Sequence, residues 1–148
     1  QIPVVETDRG GLITYHGPGQ FIAYPIINLR AWGGPLKYVR ALEEIIISTL
    51  SDFRIEATTI SGLTGVWVDH AKIAAIGVRI SKGVSTHGLS LNVSTDLSYF
   101  NNIIPCGIVG RQVTSMETLI QGQVEKSLVE QSFITNFSRV MELHLENL

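Results

Sequence analysis

Lys72-Ile73-Ala74-Ala75-Ile76-Gly77-Val78-Arg79-Ile80 is followed, after a Ser81-Lys82-Gly83 connection, by Ser85-Thr86-His87-Gly88-Leu89-Ser90-Leu91-Asn92-Val93. The first run is rich in β-branched residues, the second alternates, and the two are joined by turn residues, so each reads as a strand and the pair as a hairpin. In strict alternation Ala75 and Gly77 share one face of the first strand. Thr86, Gly88, Ser90 and Asn92 share one face of the second. Small residues facing the same way on neighbouring strands have two readings. They leave a groove in which a long thin apolar ligand could lie, or they admit a closely packed helix. Lys72 sits badly in either, because parity groups it with Ala74, Ile76 and Val78. If Lys72 reaches the groove, the strand must twist or bulge near its start.

Working outward, residues 65–68 form a short apolar strand, and Asp69-His70-Ala71 connects it to the hairpin as a turn. Residues 54–58 alternate and read as a further strand. Pro35 opens a helix through about residue 53, with apolar residues at Val39, Leu42, Ile46, Leu50 and Phe53. Earlier still, residues 11–16 and 21–29 are β-branched and aromatic runs, separated by His16-Gly17-Pro18-Gly19. Residues 92–110 form a long irregular stretch, of a kind that often carries function. Thr114-Ser115-Met116-Glu117 reads as a capping box that starts a short helix ending near Gly122. A last helix over residues 124–145 shows one stripe of Val124, Leu128, Phe133, Phe137, Met141 and Leu145.

The bulk composition narrows the classes. The chain has 148 residues, 45% hydrophobic and 16% charged, which fits one domain with a sizeable core. Fourteen glycines suit a sheet-containing fold better than a helical bundle. A net charge of -2 argues against non-specific nucleic-acid binding. No basic cluster points to a membrane surface. Residues 10–29 are uncharged and long enough to raise the question of a membrane helix. Pro18, Pro25, His16, Gln20, Asn28 and several glycines answer against it. The sequence starts at Gln1 with no initiator Met and no signal-like stretch, which reads as a fragment or processed form.

Two features could carry chemistry. The single cysteine, Cys106, lies in Asn102-Ile103-Ile104-Pro105-Cys106-Gly107 and has no partner for an internal disulfide. It reads as a buried filler, an incidental surface thiol or a nucleophile, and the motif alone favours the first two. The other is Arg9-Gly10-Gly11-Leu12-Ile13-Thr14-Tyr15-His16-Gly17-Pro18-Gly19-Gln20. Paired glycines let backbone approach a ligand. The segment is no phosphate loop, since no Gly-Lys-Ser/Thr ending and no helix follow. A glycine-rich hairpin with an exposed His is an equal reading.

Together these segments resemble the octanoyltransferases of protein lipoylation, of the lipoate-protein ligase B type. The resemblance rests on the segment from Arg9 to Gln20, on Gly65-Val66-Trp67-Val68 and on the run from Lys72 to Arg79. It continues through His87-Gly88-Leu89-Ser90-Leu91-Asn92 and Pro105-Cys106-Gly107-Ile108, in order over nearly the whole chain. It implies an α/β (α+β) fold, a mixed β-sheet with packed helices and the core of biotin and lipoate ligases, class II synthetase-like. It implies a single catalytic domain over residues 1–148, lacking the family's N-terminal segment. It also implies that Cys106 carries the acyl group as a thioester and that Lys72 lowers the thiol's pKa. The implied substrate-binding positions are Arg9, Gly10, Gly11, Leu12, Ile13, Thr14, Tyr15 and His16, with Ala75, Ile76, Gly77, Gly88, Leu89 and Ser90.

The implied reaction moves an octanoyl group from octanoyl-acyl carrier protein to a lysine of a lipoyl domain. The acceptors are the lipoyl domains of 2-oxoacid dehydrogenase complexes and the glycine cleavage H protein. The donor is already a thioester, so no ATP, metal or other cofactor is implied, and neither nucleic acid nor membrane is a partner. A free thiol of pKa ~8.5 is mostly protonated at neutral pH, and a nearby ammonium favours the reactive thiolate. Three other readings are weighed. One is an ATP-dependent lipoate or biotin ligase, against which Cys106 and the Tyr-His-Gly-Pro-Gly-Gln turn argue. One is a cysteine hydrolase pairing Cys106 with His16 or His87. The third is a non-catalytic fragment that binds a lipoyl domain or acyl carrier protein. The run Asn92-Val93-Ser94-Thr95-Asp96-Leu97 resembles the family's eukaryotic branch and tilts the compartment toward mitochondria, with bacterial cytoplasm as the alternative.

Overall fold

Pro25 and the hydroxyl of Ser85 show how the sheet edge is made. In the computed structural model, which describes residues 2–30, 32–103 and 112–143, β1 is Gln20–Ala23 and pairs with β5, Val84–Asn92. The expected strand over 21–29 breaks because Pro25 has no N–H for the ladder. The Ser85 hydroxyl donates to the Pro25 carbonyl at 2.8 Å and accepts from Ile27 N–H at 2.9 Å. Pairing then resumes at Asn28, which bridges to Val84.

The remaining strands are β2 (Thr58–Ile60), β3 (Leu63–Val68) and β4 (Ala71–Ser81). The sheet order is β1-β5-β4-β3-β2, with antiparallel ladders. One parallel bridge joins Lys72 to Val113. The β4–β5 hairpin forms as expected, with Lys82 and Gly83 both at positive φ (51° and 83°) in its turn. Mirror-image turns of that kind match the right-handed strand twist. Asp69–His70 makes the β3–β4 turn, with Asp69 at φ 51°.

Residues 54–58 do not form the expected strand. Arg54 takes φ 60° to cap the preceding helix, and Ile55 N–H returns to the Leu50 carbonyl at 3.0 Å. That turn sends Ile55 into the core. Residues 11–16 are no strand either; they cross over the sheet instead of joining its edge.

Both long helices cover one face. Helix α1 (Pro35–Asp52) begins at its proline and buries Tyr38, Leu42, Ile45, Ile46 and Leu50 completely. Its buried arc is wider than the expected stripe, because both the sheet and the last helix pack on it. After the 3-10 helix Leu97–Asn102 comes α2 (Met116–Ile120) and then α3 (Lys126–Met141). The phase of α3 is set by Val129, Phe133, Phe137 and Met141, one apolar residue per turn. Leu128 falls off that stripe and is 50% exposed, and Leu145 lies outside the described residues. The cap of α2 is Ser115, whose Oγ accepts from Thr118 N–H at 3.3 Å, and not Thr114. Thr114 is held back because its N–H donates to the Lys72 carbonyl at 2.9 Å and its carbonyl accepts from Asn92. Glu117 turns to Val124 N–H instead of closing a box.

Candidate functional site

The face of the sheet away from α1 and α3 carries Ala75, Gly77, Gly88 and Ser90, whereas Ile76 and Leu89, also singled out by sequence, pair with each other and pack on the helix side. Lys72 reaches the former face through a bulge. Val66 pairs with Ala74 and Trp67 with Lys72, so β4 holds one residue more than β3 at this point. Ile73 and Ala74 both enter the helix-side core. The alternation slips by one, and Lys72 joins Ala75 and Gly77 on the opposite face. The conflict between parity and chemistry in the sequence is resolved by this one extra residue. Lys72 is 6% exposed, and its Nζ stands 5.3 Å from the centre of the Trp67 ring. Its N–H donates to the Gln112 carbonyl at 2.8 Å, so the chain after residue 111 runs beside it.

Residues 9–16 roof this face. Gly10 N–H donates to the Val78 carbonyl at 2.9 Å. A Cβ on Gly77 would stand 2.9 Å from both Arg9 Cδ and the Gly10 carbonyl. A Cβ on Gly88 would meet the Ala23 carbonyl at 2.2 Å. The small residues therefore serve close backbone approach, and it is an irregular, bent segment, not a helix, that approaches at Gly77. A recess of about 30 Å³ remains beneath the segment, with Arg9, Gly11, Leu12, Thr14 and His16 above and residues 75–77 and 88–90 below. A second recess of about 20 Å³ holds Lys72, Phe100 and Val113 and shares Thr14, Ala75 and Ser90 with the first. Each has room for a water or two. Ile13 and Tyr15 face a wider hollow of about 540 Å³, bounded by residues 2–7 and by Tyr99 and Ile103.

The roof is held from several sides. Tyr15 stacks on Tyr99 at 5.1 Å and meets Phe100 edge-on at 5.4 Å. Burial, then the Tyr99 phenol and the Asp96 carboxylate, hold the Tyr15 phenol above its ordinary pKa. Gln20 Nε2 donates to the Tyr15 carbonyl at 3.1 Å and to Asn92 Oδ1 at 2.9 Å. Its Oε1 accepts from Gly17 N–H at 3.3 Å. His16 Nδ1 lies 3.2 Å from the same Oε1, which can only accept, so Nδ1 carries the proton. In the neutral ring Nε2 is then the acceptor facing the Tyr24 hydroxyl at 3.4 Å. Further along, the Asp8 carboxylate accepts from His87 Nε2 at 2.9 Å and from Arg79.

Gln20 and Asn92 stand in the quoted motifs, yet sequence reasoning gave them no role. Only the β1–β5 register, which sets Gln20 opposite Asn92, brings them together. Both are buried, so Gln20→Ala leaves the Asn92 and Tyr15 oxygens without their donor. We expect it to destabilise the fold by about 1–3 kcal/mol in urea titration. A variant as stable as the parent contradicts the clamp. Cys106 lies outside the described residues.

The chain matches the family described as lipoyl protein ligase A/B catalytic domain over residues 1–138, and it belongs to that family. It is 51% identical to an octanoyltransferase of Solibacter usitatus, over 97% of this chain and 65% of that protein. It is 47% identical to the chloroplastic octanoyltransferase LIP2p2 of Arabidopsis thaliana, over 97% of this chain and 55% of the relative. The chain thus spans roughly three fifths of the length of these curated relatives. A crystal structure of lipoate-protein ligase A bound with ATP superposes with a TM-score of 0.75 at 17% identity, covering 90% of this chain and 57% of that one. At that identity the likeness speaks for the fold, which is the α+β fold of lipoate and biotin ligases.

Proposed function

We propose that this chain is the catalytic part of an octanoyltransferase that moves an octanoyl group from octanoyl-acyl carrier protein to a lysine of a lipoyl domain. The observation that carries the reading is the bulge at Ile73. It seats Lys72 on the face that also holds Ala75, Gly77, Gly88 and Ser90 beneath the Arg9–Gly11 segment. Cys106 supplies the nucleophile. It lies six residues before Gln112 in the sequence, and Gln112 bonds to the Lys72 backbone. Phe100 and Val113, on the two sides of the segment that contains Cys106, both line the Lys72 recess. The names of the relatives agree with this reading.

In the first step the Cys106 thiolate attacks the donor's thioester carbonyl. The carrier thiolate leaves and takes up a proton, and the acyl group rests on Cys106. In the second step the acceptor lysine amine attacks that thioester, loses a proton and forms the amide, and the Cys106 thiolate departs. The Lys72 ammonium favours the thiolate by charge and, once neutral, can take a proton. Negative charge develops on the acyl oxygen in both steps.

The octanoyl chain occupies the recess below residues 9–16. The recess is the size of a water or two, so the chain enters as that segment moves off β4. Chain-length preference then follows apolar burial, at ~0.8 kcal/mol per methylene. That separates eight carbons from four and separates neighbours weakly. The acceptors are the lipoyl domains of the 2-oxoacid dehydrogenase complexes and of the glycine cleavage H protein. Of the possible compartments, bacterial cytoplasm accords with the Solibacter relative and a plastid with the Arabidopsis one. The mitochondrial expectation keeps only the Asn92 to Leu97 run behind it.

The test is donor choice. The protein is mixed with a lipoyl domain and an octanoyl thioester of acyl carrier protein, without ATP, and acceptor mass is followed. Octanoylation is expected. A requirement for free octanoate with ATP would make the chain a ligase instead.

A further inference from the structure

Beside Lys72 the structure carries a feature that the proposed chemistry does not use. Gly65 lies on β3, two residues before Trp67, at φ +125°. The Lys72 side chain passes directly over it. A Cβ on Gly65 would stand 2.5 Å from Lys72 Cε, 3.1 Å from Lys72 Nζ and 2.8 Å from the Ala74 carbonyl. The first and third distances are shorter than real Cβ atoms tolerate, and the Ala74 carbonyl is backbone and cannot swing away. Lys72 Nζ faces the Trp67 ring at 5.3 Å, so the ammonium is bounded by that ring and by the bare Gly65 backbone. The backbone is itself fixed. Gly65 N–H donates at 3.0 Å to Oε1 of Glu43, a carboxylate buried to 1% exposure on α1. The other oxygen of Glu43 pairs with Arg40 at 2.6 Å. A charged acceptor makes this a strong tether.

We infer that Gly65 is a positioning residue. Its missing side chain forms the seat of the Lys72 ammonium, and Glu43 holds that seat at a fixed height under the site. The inference rests on the proposed role of Lys72 in activating Cys106. A side chain at position 65 displaces the amine. The nearest atoms such a side chain meets belong to Lys72 and the Ala74 carbonyl, and not to Ala75, Gly77 or Gly88, which line the acyl recess. The consequence falls on turnover and on the charge state of the thiol, and donor KM changes little.

The experiment compares Gly65→Ala with Gly62→Ala, Lys72→Ala and the parent. Gly62 also has positive φ (+80°), but open space surrounds its Cβ position. Gly62→Ala therefore carries backbone strain without the collision. Cys106 is the single cysteine, so the pH dependence of its alkylation is read without ambiguity. For Gly65→Ala we expect kcat for octanoyl transfer to fall about tenfold or more, with donor KM within about threefold. The alkylation midpoint should rise by about one pH unit, toward that of Lys72→Ala. Gly62→Ala should keep the parent's profile. A folded Gly65→Ala protein with the parent's midpoint and kcat overturns the inference. If Gly65→Ala does not fold, Glu43→Leu removes the tether without adding bulk at position 65. A midpoint raised in that variant supports the seat, and an unmoved one overturns it. If parent and Lys72→Ala share one midpoint, the failure lies in the role given to Lys72 and not in the seat.

Discussion

Replacing Cys106 by Ser is expected to abolish octanoyl transfer, with a loss of about a thousandfold or more, while urea unfolding stays within about 1 kcal/mol of the parent. A hydroxyl keeps nearly the size of the thiol but is not ionised near neutral pH, so the covalent route closes. Donor binding need not change, because the substitution leaves the described lining of the recess intact. Full transfer by Cys106→Ser would rule out the acyl-enzyme and return the chain to direct attack by the acceptor amine.

Lys72→Ala is expected to lower transfer by about a hundredfold or more, the usual contribution of a positioned proton carrier. It should also raise the pH at which an alkylating reagent labels Cys106, by about one unit. The sign follows from charge. An ammonium beside a thiol favours the thiolate and depresses its pKa, so removing the ammonium lets the pKa climb. Labelling that begins at the same pH in both proteins would take Lys72 out of this role. Lys72→Arg separates charge from proton transfer. It should keep labelling closer to the parent's profile and still turn over poorly, because guanidinium does not give up its proton.

The β4–β5 hairpin and α1 were legible because their periods are clean and their ends are marked by Lys82-Gly83 and Pro35. Residues 11–16 misled because Leu12, Ile13 and Tyr15 have strand-like character for another reason. Tyr15 packs on Tyr99 and Phe100 of the 3-10 helix, and no described strand pairs with it. The α3 stripe slipped by one at its start, since Leu128 and Val129 are both apolar and only the phase set by Phe133 chooses between them. The small residues of β4 and β5 were legible as one face, and Lys72 was tied to them only through the family resemblance. What sequence could not show was how they are used. Gly77 admits the Arg9–Gly10 backbone where an open groove was one expectation. The bulge at Ile73 was visible only as a contradiction between where Lys72 points by parity and where the chemistry needs it. The clamp of Gln20 on Asn92 depends on a register between strands far apart in sequence, and no local pattern encodes it.

The most direct measurement is the intact mass of the protein after incubation with an octanoyl thioester and no acceptor. A gain of one octanoyl group, removed by hydroxylamine and missing from Cys106→Ser, is the predicted result. No gain in the parent, or the same gain in Cys106→Ser, would contradict an acyl group carried on that sulfur.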